Sequence, residues 1–143
     1  MFTNTGASSI LRYLVGEEGS GSLSGYLALS TTAPGKDGSN VTEPSSESGY
    51  KRVMIGTTNS SYSNINYFGT PVTNDAGVTE ISNTSQIHFD EVLSTWGTLT
   101  HFAIYRSATG GTPIYVGELK ASLTPTVNSI VIIRAGEMKI SLE

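Results

Sequence analysis

The apolar residues of this chain occur in short, strand-like segments, each closed within a few residues by Gly, Pro, Asn, Asp or Ser. Residues 99–105 alternate between two faces, residues 107–112 contain the turn-forming pair Gly110-Gly111, and residues 112–119 return in the opposite direction. This pattern is typical of a β-hairpin. Because similar segments recur along the chain with turn signals between them, the sequence predicts an antiparallel β-sandwich of about seven to nine strands.

The N-terminal segment, residues 1–16, has helical rather than strand-like spacing. Apolar side chains at i, i+3, i+4 and i+7 share one face of a helix. We expect Asn4 or Thr5 to cap this helix and Gly16 to end it. We also expect the apolar face to pack on the sheet of the same chain, with packing on a neighbouring chain as the alternative. The face consists of Ala7, Ile10, Leu11 and Leu14.

Residues 31–49 form a long polar segment that includes Pro34 and Pro44, so the sequence predicts an irregular loop. Loops of this length in a compact domain are often functional. We expect Glu43 and Arg52 to anchor the loop, through an ion pair or bonds to backbone groups. An anchored loop would present a fixed surface to an adjoining protein. The alternative is a mobile surface loop with incidental charges.

The length of 143 residues predicts a single domain spanning residues 1–143. The chain contains no Cys, so we expect a core that needs no disulfide bonds. We expect Trp96 to anchor this core and the apolar, β-branched residues 129–133 to form a central strand. The expected core residues are Leu27, Leu29, Val53, Ile55, Phe89, Trp96, Phe102, Ile104, Val116, Ile130, Ile132 and Ile140.

The charge content argues against two classes of partner. Charged residues make up 14% of the chain and the formal net charge is −4, whereas nucleic-acid-binding proteins carry basic patches. No apolar run is long enough to span a bilayer. Residues 1–19 lack a basic residue before their apolar centre, so we do not expect a signal peptide. The sequence therefore predicts neither a nucleic acid nor a membrane as partner.

The residues that often carry catalysis or bind metals form no recognisable motif. A metal site would need His88 and His101, which lie in different predicted strands, together with a carboxylate such as Asp90 or Glu91. Adjacent carboxylates on a strand point to opposite faces and do not form an acid–base pair. The chain contains no Gly-x-Ser-x-Gly motif and no phosphate-binding loop. We expect no catalytic activity, no cofactor and no metal.

Aromatic residues lie in a polar stretch rich in Ser and Asn, residues 59–75. They are Tyr62, Tyr67 and Phe68. Aromatic side chains among small polar residues form adaptable contact surfaces, so these three are candidates for binding a partner protein or a sugar. The alternative is that they fold back over the core.

An ordered set of short motifs runs along nearly the whole chain and resembles a family of small bacteriophage virion proteins, usually labelled tail fibre or appendage proteins. The motifs are Leu29-Ser30-Thr31-Thr32, Thr42-Glu43-Pro44, Gly49-Tyr50-Lys51-Arg52, Ile81-Ser82-Asn83, Ile87-His88-Phe89, Thr95-Trp96-Gly97-Thr98-Leu99-Thr100-His101, Ala108-Thr109-Gly110-Gly111 and Ala135-Gly136-Glu137-Met138-Lys139-Ile140.

The resemblance implies a structural virion protein, assembled in the host cytoplasm, that mediates protein–protein contacts on the particle exterior as part of a tail fibre or appendage. A capsid decoration or neck protein is the first alternative, and a carbohydrate-binding module that recognises the host receptor is the second. The implied partners are other virion proteins and further copies of the chain, in a homo-oligomer or symmetric array, with a host surface glycan as an additional candidate.

Overall fold

The computed structural model of this chain describes residues 1–15, 25–57 and 66–142. They form one helix, a short 3-10 turn at Ser46–Ser48, and a series of strands. The helix is α1 (Asn4–Leu14), and the strands are β1 (Gly25–Ser30), β2 (Val53–Thr57), β3 (Asn66–Phe68), β4 (Val72–Thr73), β5 (Thr79–Ser82), β6 (Ile87–His88), β7 (Leu99–Tyr105), β8 (Tyr115–Leu123), β9 (Ile132–Ile133) and β10 (Lys139–Leu142).

The strands form a five-stranded sheet in the order β3-β2-β1-β7-β8, a three-stranded sheet in the order β10-β5-β4, and the pair β6-β9. Neighbouring strands are antiparallel except for β2 and β3, which are parallel. The register of β7 and β8 shifts between Leu99 and His101, so that residues 119–122 of β8 lie opposite the single residue Thr100 of β7 and interrupt the regular pairing. The prediction of an antiparallel β-sandwich with one short N-terminal helix is confirmed.

The central strand β1 is buried on both faces of the five-stranded sheet. On the inner face, Leu27 and Leu29 are fully buried in the main core. On the outer face, Ala28 packs in a smaller cluster that Val41, from the segment 31–49, helps to cover. Ten of the expected core residues are confirmed as buried or as packed partly buried against the core: Leu27, Leu29, Val53, Ile55, Phe89, Trp96, Phe102, Ile104, Val116 and Ile140.

The predicted burial of Ile130 and Ile132 is wrong, because these side chains are 54% and 42% exposed. Val131 and Ile133 are buried instead. Side chains alternate along a strand, so a shift of one residue exchanges the buried and exposed sets. The run is not central either, since β9 is two residues long and pairs only with β6 among the described strands.

The predicted N-terminal helix is present, but it starts earlier than the predicted caps imply, and its contacts also differ from the prediction. Thr3, rather than Asn4 or Thr5, is the cap: its Oγ1 accepts a hydrogen bond from Gly6 N at 3.1 Å and donates one to Pro113 O at 2.6 Å. Gly6 lies so close to Ile114 O that a Cβ there would clash. These contacts attach α1 through its first turn. The predicted end at Gly16 lies outside the described residues.

The predicted packing of the apolar helix face on the chain's own sheet is wrong. Leu11 is 63% exposed and Leu14 is 76% exposed, while Ile10 is half-buried. The helix spacing correctly indicated an apolar face, but the contacts of the first turn do not bring the rest of that face against the sheet. The stripe therefore faces solvent in a single copy of the chain.

Candidate functional site

Arg52, just before β2, forms the ion pair with Glu43 that the sequence indicated. Its Nη2 lies 2.9 Å from Glu43 Oε2, and its Nε donates to Glu43 Oε1 at 3.0 Å. This two-point geometry fits a guanidinium to a carboxylate and fixes their relative orientation. The Arg52 side chain is 6% exposed and that of Glu43 is 24% exposed. The pair is thus shielded from water, unlike an ordinary surface ion pair.

The same guanidinium also holds the turn between β7 and β8. Arg52 Nη1 donates to Ser107 O at 3.0 Å and to Gly110 O at 2.9 Å. Its Cζ lies 3.5 Å from the centre of the Tyr105 ring, a cation–π contact. Gly110 has a φ of +64°, a conformation that favours glycine and that shapes this turn. One side chain therefore joins the long loop, the start of β2 and the β7–β8 turn.

Tyr50 connects this ion pair to the core. Its hydroxyl donates to Glu43 Oε1 at 2.7 Å and accepts from Leu29 N, on β1, at 3.0 Å. Burial raises the pKa of Tyr50 well above its ordinary value, and the bond to the Glu43 carboxylate raises it further. The phenol is therefore neutral in the folded protein and keeps its donor role. Glu43, Tyr50, Arg52 and Tyr105 are referred to below as the Arg52 cluster.

The raised pKa of Tyr50 predicts a loss of stability at alkaline pH. An unfolded tyrosine ionises near pH 10, whereas Tyr50 in the folded chain retains its proton at that pH. Its contribution is therefore intact below about pH 10 and falls as the pH rises further, because the unfolded state gives up the proton first. In Tyr50→Phe, we expect the slope of unfolding free energy against pH to weaken by up to about 1.4 kcal/mol per pH unit. Urea unfolding between roughly pH 9 and 11 measures this slope, and an equal slope in both proteins would contradict the assignment.

The segment 31–49 is irregular but is hydrogen-bonded along its length. Thr31 N donates to Thr42 O at 3.0 Å, and Thr42 N donates to Ser30 Oγ at 2.9 Å. Asn40 has a φ of 65°, and its side chain donates to Ala33 O at 2.8 Å. Asn tolerates this left-handed conformation better than most residues. These bonds give the loop a defined shape in addition to the Arg52 anchor.

The prediction that Trp96 anchors the core is confirmed, and the structure shows that Trp96 also binds the end of the loop. Trp96 is 3% exposed, and its Nε1 donates to Ser48 O at 3.0 Å. Its ring packs edge-on against Tyr50 at 5.4 Å and against Phe89 at 6.3 Å between centroids. Gly49 has a φ of +87° and approaches Glu91 O too closely to leave room for a Cβ. The Arg52 cluster and Trp96 thus hold the loop from two sides.

Of the three aromatic candidates of the segment 59–75, only the side chain of Phe68 belongs to the described part of the chain. Phe68 lies on β3, is 5% exposed and belongs to the main core. The Phe68 ring therefore contributes to core packing and not to a contact surface. Tyr67 also lies on β3, but its side chain lies outside the described part of the chain, as does the whole of Tyr62.

The histidines considered as metal ligands lie on strands of two different sheets. His88 ends β6 and is exposed, whereas His101 lies on β7, where its Nδ1 is 2.8 Å from Thr100 Oγ1. Asp90 pairs with Lys51 at 3.1 Å. Within residues 1–15, 25–57 and 66–142, no group of three or more His, Cys, Asp or Glu residues has an arrangement that could hold a metal ion. In the same ranges, no helix is long and apolar enough to cross a membrane.

Sequence reasoning did not identify the role of Asn83. This residue is 2% exposed; its Nδ2 donates to Ser85 O and Arg134 O, and its Oδ1 accepts from Gly136 N and Met138 N. It therefore connects β5 to the turn before β10. A polar residue directly after a strand, at the end of Ile81-Ser82-Asn83, is the only sequence signal of such a role.

Comparison with known proteins identifies a family for this chain. A family model described as "Podophage GP4 fiber I protein gp80" matches residues 2–141, which is nearly the whole sequence. The match includes the Arg52 cluster, α1 and all of the described strands but the last residue of β10. No curated protein matches the chain.

Proposed function

The chain belongs to the gp80 family of podophage fiber proteins, and we propose that it is a tail fibre component that binds other virion proteins on the outside of the particle. Membership of a fiber family supports a structural role in the virion. The observation that carries the proposed binding role is the Arg52 side chain, which fixes the loop and the β7–β8 turn relative to each other. Residues 43–52 and residues 106–112, two segments far apart in sequence, thereby form one surface. This surface is called the Arg52 surface below.

The Arg52 surface is ordered by its own chain before any partner arrives. Its outermost residues, 45–47 and 106–112, are exposed. A hollow of about 220 Å³ lies between the two segments and is lined by Pro44, Lys51 and Thr109 among others. Binding to a surface that is already held in place costs less conformational entropy than binding to a mobile loop. This favours a contact between protein subunits in a regular assembly.

Changing Glu43 to alanine tests the proposal. The variant loses the ion pair and the acceptor of Tyr50, but Arg52 keeps its bonds to Ser107 O and Gly110 O. We expect the isolated protein to remain folded and its incorporation into particles to fall by about tenfold, which corresponds to about 1.4 kcal/mol of binding free energy. Circular dichroism checks the fold, and quantitative immunoblotting of purified particles checks incorporation.

Asp75→Ala is the matched control, because Asp75 also carries a carboxylate and is exposed, but it lies in the turn between β4 and β5, outside the Arg52 surface. We expect it to be incorporated normally. If Glu43→Ala is also incorporated normally, and protease cuts the wild-type loop readily both free and in the particle, the loop is a tether and the proposed binding role is wrong.

We further propose that residues 1–143 form a single domain, since strands from both halves of the chain contribute to one core.

Labelling of assembled particles distinguishes a fibre position from a capsid or neck position. A glycan array tests the role as a receptor-binding module. Specific glycan binding that is lost on changing Tyr62 or Tyr67 would favour carbohydrate recognition, and hydrolysis of host polysaccharide by the pure protein would favour an enzyme.

A further inference from the structure

β8 lies at one edge of the five-stranded sheet, because β7 is the only described strand that pairs with it. With nine residues it is also the longest of the described strands. An edge strand of this length presents a row of backbone N–H and C=O groups with which a strand of another chain can pair. A protein that assembles through defined contacts has to close such an edge, because pairing there would compete with those contacts.

Residues 1–3 pair with the first part of this edge. Val116 N donates to Met1 O at 2.8 Å, and Met1 N donates to Val116 O at 2.6 Å. Thr3 N donates to Ile114 O at 3.1 Å. Because the N–H and C=O of Val116 are directed to Met1, they point away from β7. Residues 1–3 thus satisfy backbone groups that another chain would otherwise find open.

The side chains of residues 1–3 reinforce this pairing. Phe2 forms an antiparallel bridge with Tyr115, and their rings pack edge-on with centroids 4.9 Å apart. Thr3 is fully buried, and its Oγ1 donates to Pro113 O at 2.6 Å. The cover over β8 is therefore held by ring packing and a buried hydroxyl as well as by backbone hydrogen bonds.

The remainder of β8 is unsuited to pairing for a different reason. Residues 119–122 lie opposite Thr100 and interrupt the regular pairing. Glu118 and Lys120 are exposed. An irregular backbone and charged side chains are two features by which natural edge strands resist pairing with other chains. The regular first part of β8 is thus the part that depends on residues 1–3.

We propose that residues 1–3 guard the edge of β8, by occupying the backbone groups that would otherwise pair with β8 of a second copy. Strand pairing requires only backbone groups, and every copy carries the same edge. Two open edges pair antiparallel about a two-fold axis, which uses both edges and stops at a dimer. The guard goes beyond the proposed binding role, since it concerns a contact that the protein avoids.

The contacts of α1 agree with this role. Thr3 and Asn4 tie its first turn to the rest of the chain, and Asn4 N donates to Lys36 O at 2.9 Å. Leu11 and Leu14, farther along the helix, are exposed. The contacts of the N-terminal segment are thus concentrated where it covers β8, which is expected of a guard.

Amide hydrogen exchange of the wild type, followed by NMR at single residues, tests the cover directly. Val116 and Glu118 are two positions apart in the regular part of β8, so both N–H groups point away from β7. Met1 covers Val116 but not Glu118. We expect Val116 to exchange at least about tenfold more slowly, after correction for the intrinsic rates. Equal rates would show that residues 1–3 do not hold the edge, and the proposal would be wrong.

Removing the guard should create the pairing that it prevents. The double variant Phe2→Gly, Thr3→Gly loses the ring packing and the bond of the buried hydroxyl. Sedimentation velocity should show a dimer whose association constant is at least about tenfold above that of the wild type. The double variant Thr5→Gly, Ser8→Gly is the matched control, because it places two glycines at exposed positions of α1 and should associate like the wild type.

Adding Glu118→Pro to the first double variant identifies the surface that pairs. Proline has no N–H and is tolerated at a strand edge whose N–H faces away from the neighbouring strand. The triple variant should therefore return to the association of the wild type. Circular dichroism checks each fold, and Phe2→Gly alone, which keeps Thr3, replaces the double variant if that one fails to fold. Association no stronger than in the wild type, or association that Glu118→Pro leaves unchanged, would overturn the proposal.

Discussion

Replacing Arg52 by methionine is expected to lower the free energy of unfolding by about 3–5 kcal/mol, the range found when one partner of a shielded ion pair is removed. Methionine keeps an apolar stem of similar length, so the change isolates the guanidinium. The variant leaves the Glu43 carboxylate, 24% exposed, without its cation, and it frees the carbonyl groups of Ser107 and Gly110. It also removes the cation–π contact with Tyr105.

Urea unfolding of the isolated protein measures this effect, and Lys51→Met is the matched control. Lys51 is the adjacent residue and also forms an ion pair, with Asp90, but its side chain is 73% exposed. We expect the control to change stability by at most about 1 kcal/mol, as is usual for surface pairs. Arg52→Met should in addition become sensitive to protease at residues 106–112. Equal effects of the two substitutions would show that Arg52 does not organise this end of the protein.

Replacing Trp96 by alanine is expected to cost about 3–5 kcal/mol, because it removes the largest aromatic side chain of the main core and leaves a cavity. Trp96 is 3% exposed and contacts both Tyr50 and Phe89. In the wild type the indole also donates a hydrogen bond to Ser48 O, at the end of the long loop. The alanine variant loses this bond as well. We therefore expect the loop and the core to loosen together.

Trp96→Phe is the graded control, since it keeps an aromatic ring but removes the indole N–H. We expect it to cost about 1–3 kcal/mol, the penalty for a lost hydrogen bond in a buried position. Chemical unfolding followed by far-ultraviolet circular dichroism compares the variants with the wild type, and the tyrosine signal in the near ultraviolet reports on the packing of Tyr50. A loss below 1 kcal/mol in Trp96→Ala would contradict the assignment of this residue as the anchor of the core.

The fold class was predictable because it depends on the spacing of apolar residues and turn formers, which the sequence displays directly. The alternation at residues 99–105 indicated a strand, and the structure has β7 there. The run at residues 129–133 shows the limit of this reasoning. All of its last four residues are apolar and β-branched, so alternation is absent and the pattern does not distinguish which pair is buried. The pairing of Ile87 with Ile133 places Ile133 on the buried face. These two residues are far apart in sequence, so the pattern of residues 129–133 alone does not reveal this contact.

The Arg52 cluster was predictable only in part, for a similar reason. The pair of Glu43 and Arg52 has opposite charges near the end of one loop, which is a local signal. The bonds from Arg52 to Ser107 O and Gly110 O cross 55 and 58 positions in sequence and use backbone carbonyl groups, which every residue has. The exposed helix stripe was missed because amphipathic spacing indicates that a face needs a partner, but not whether the partner belongs to the same chain.

The position of β1 between β2 and β7 has a consequence for the order in which the chain can fold during synthesis. β1 pairs with β7 from Tyr26↔Tyr105 to Ser30↔His101. At about 5–20 residues per second, the ribosome adds the roughly 80 residues between Tyr26 and Tyr105 in about 4–16 s. The start of α1 waits longer still, because Thr3 bonds to Pro113 and Ile114. Residues 1–3 are thus translated before the strands they contact but are among the last to be placed, and the nascent chain relies on its many uncharged polar residues, rather than on charge, to stay dissolved until the sheet closes.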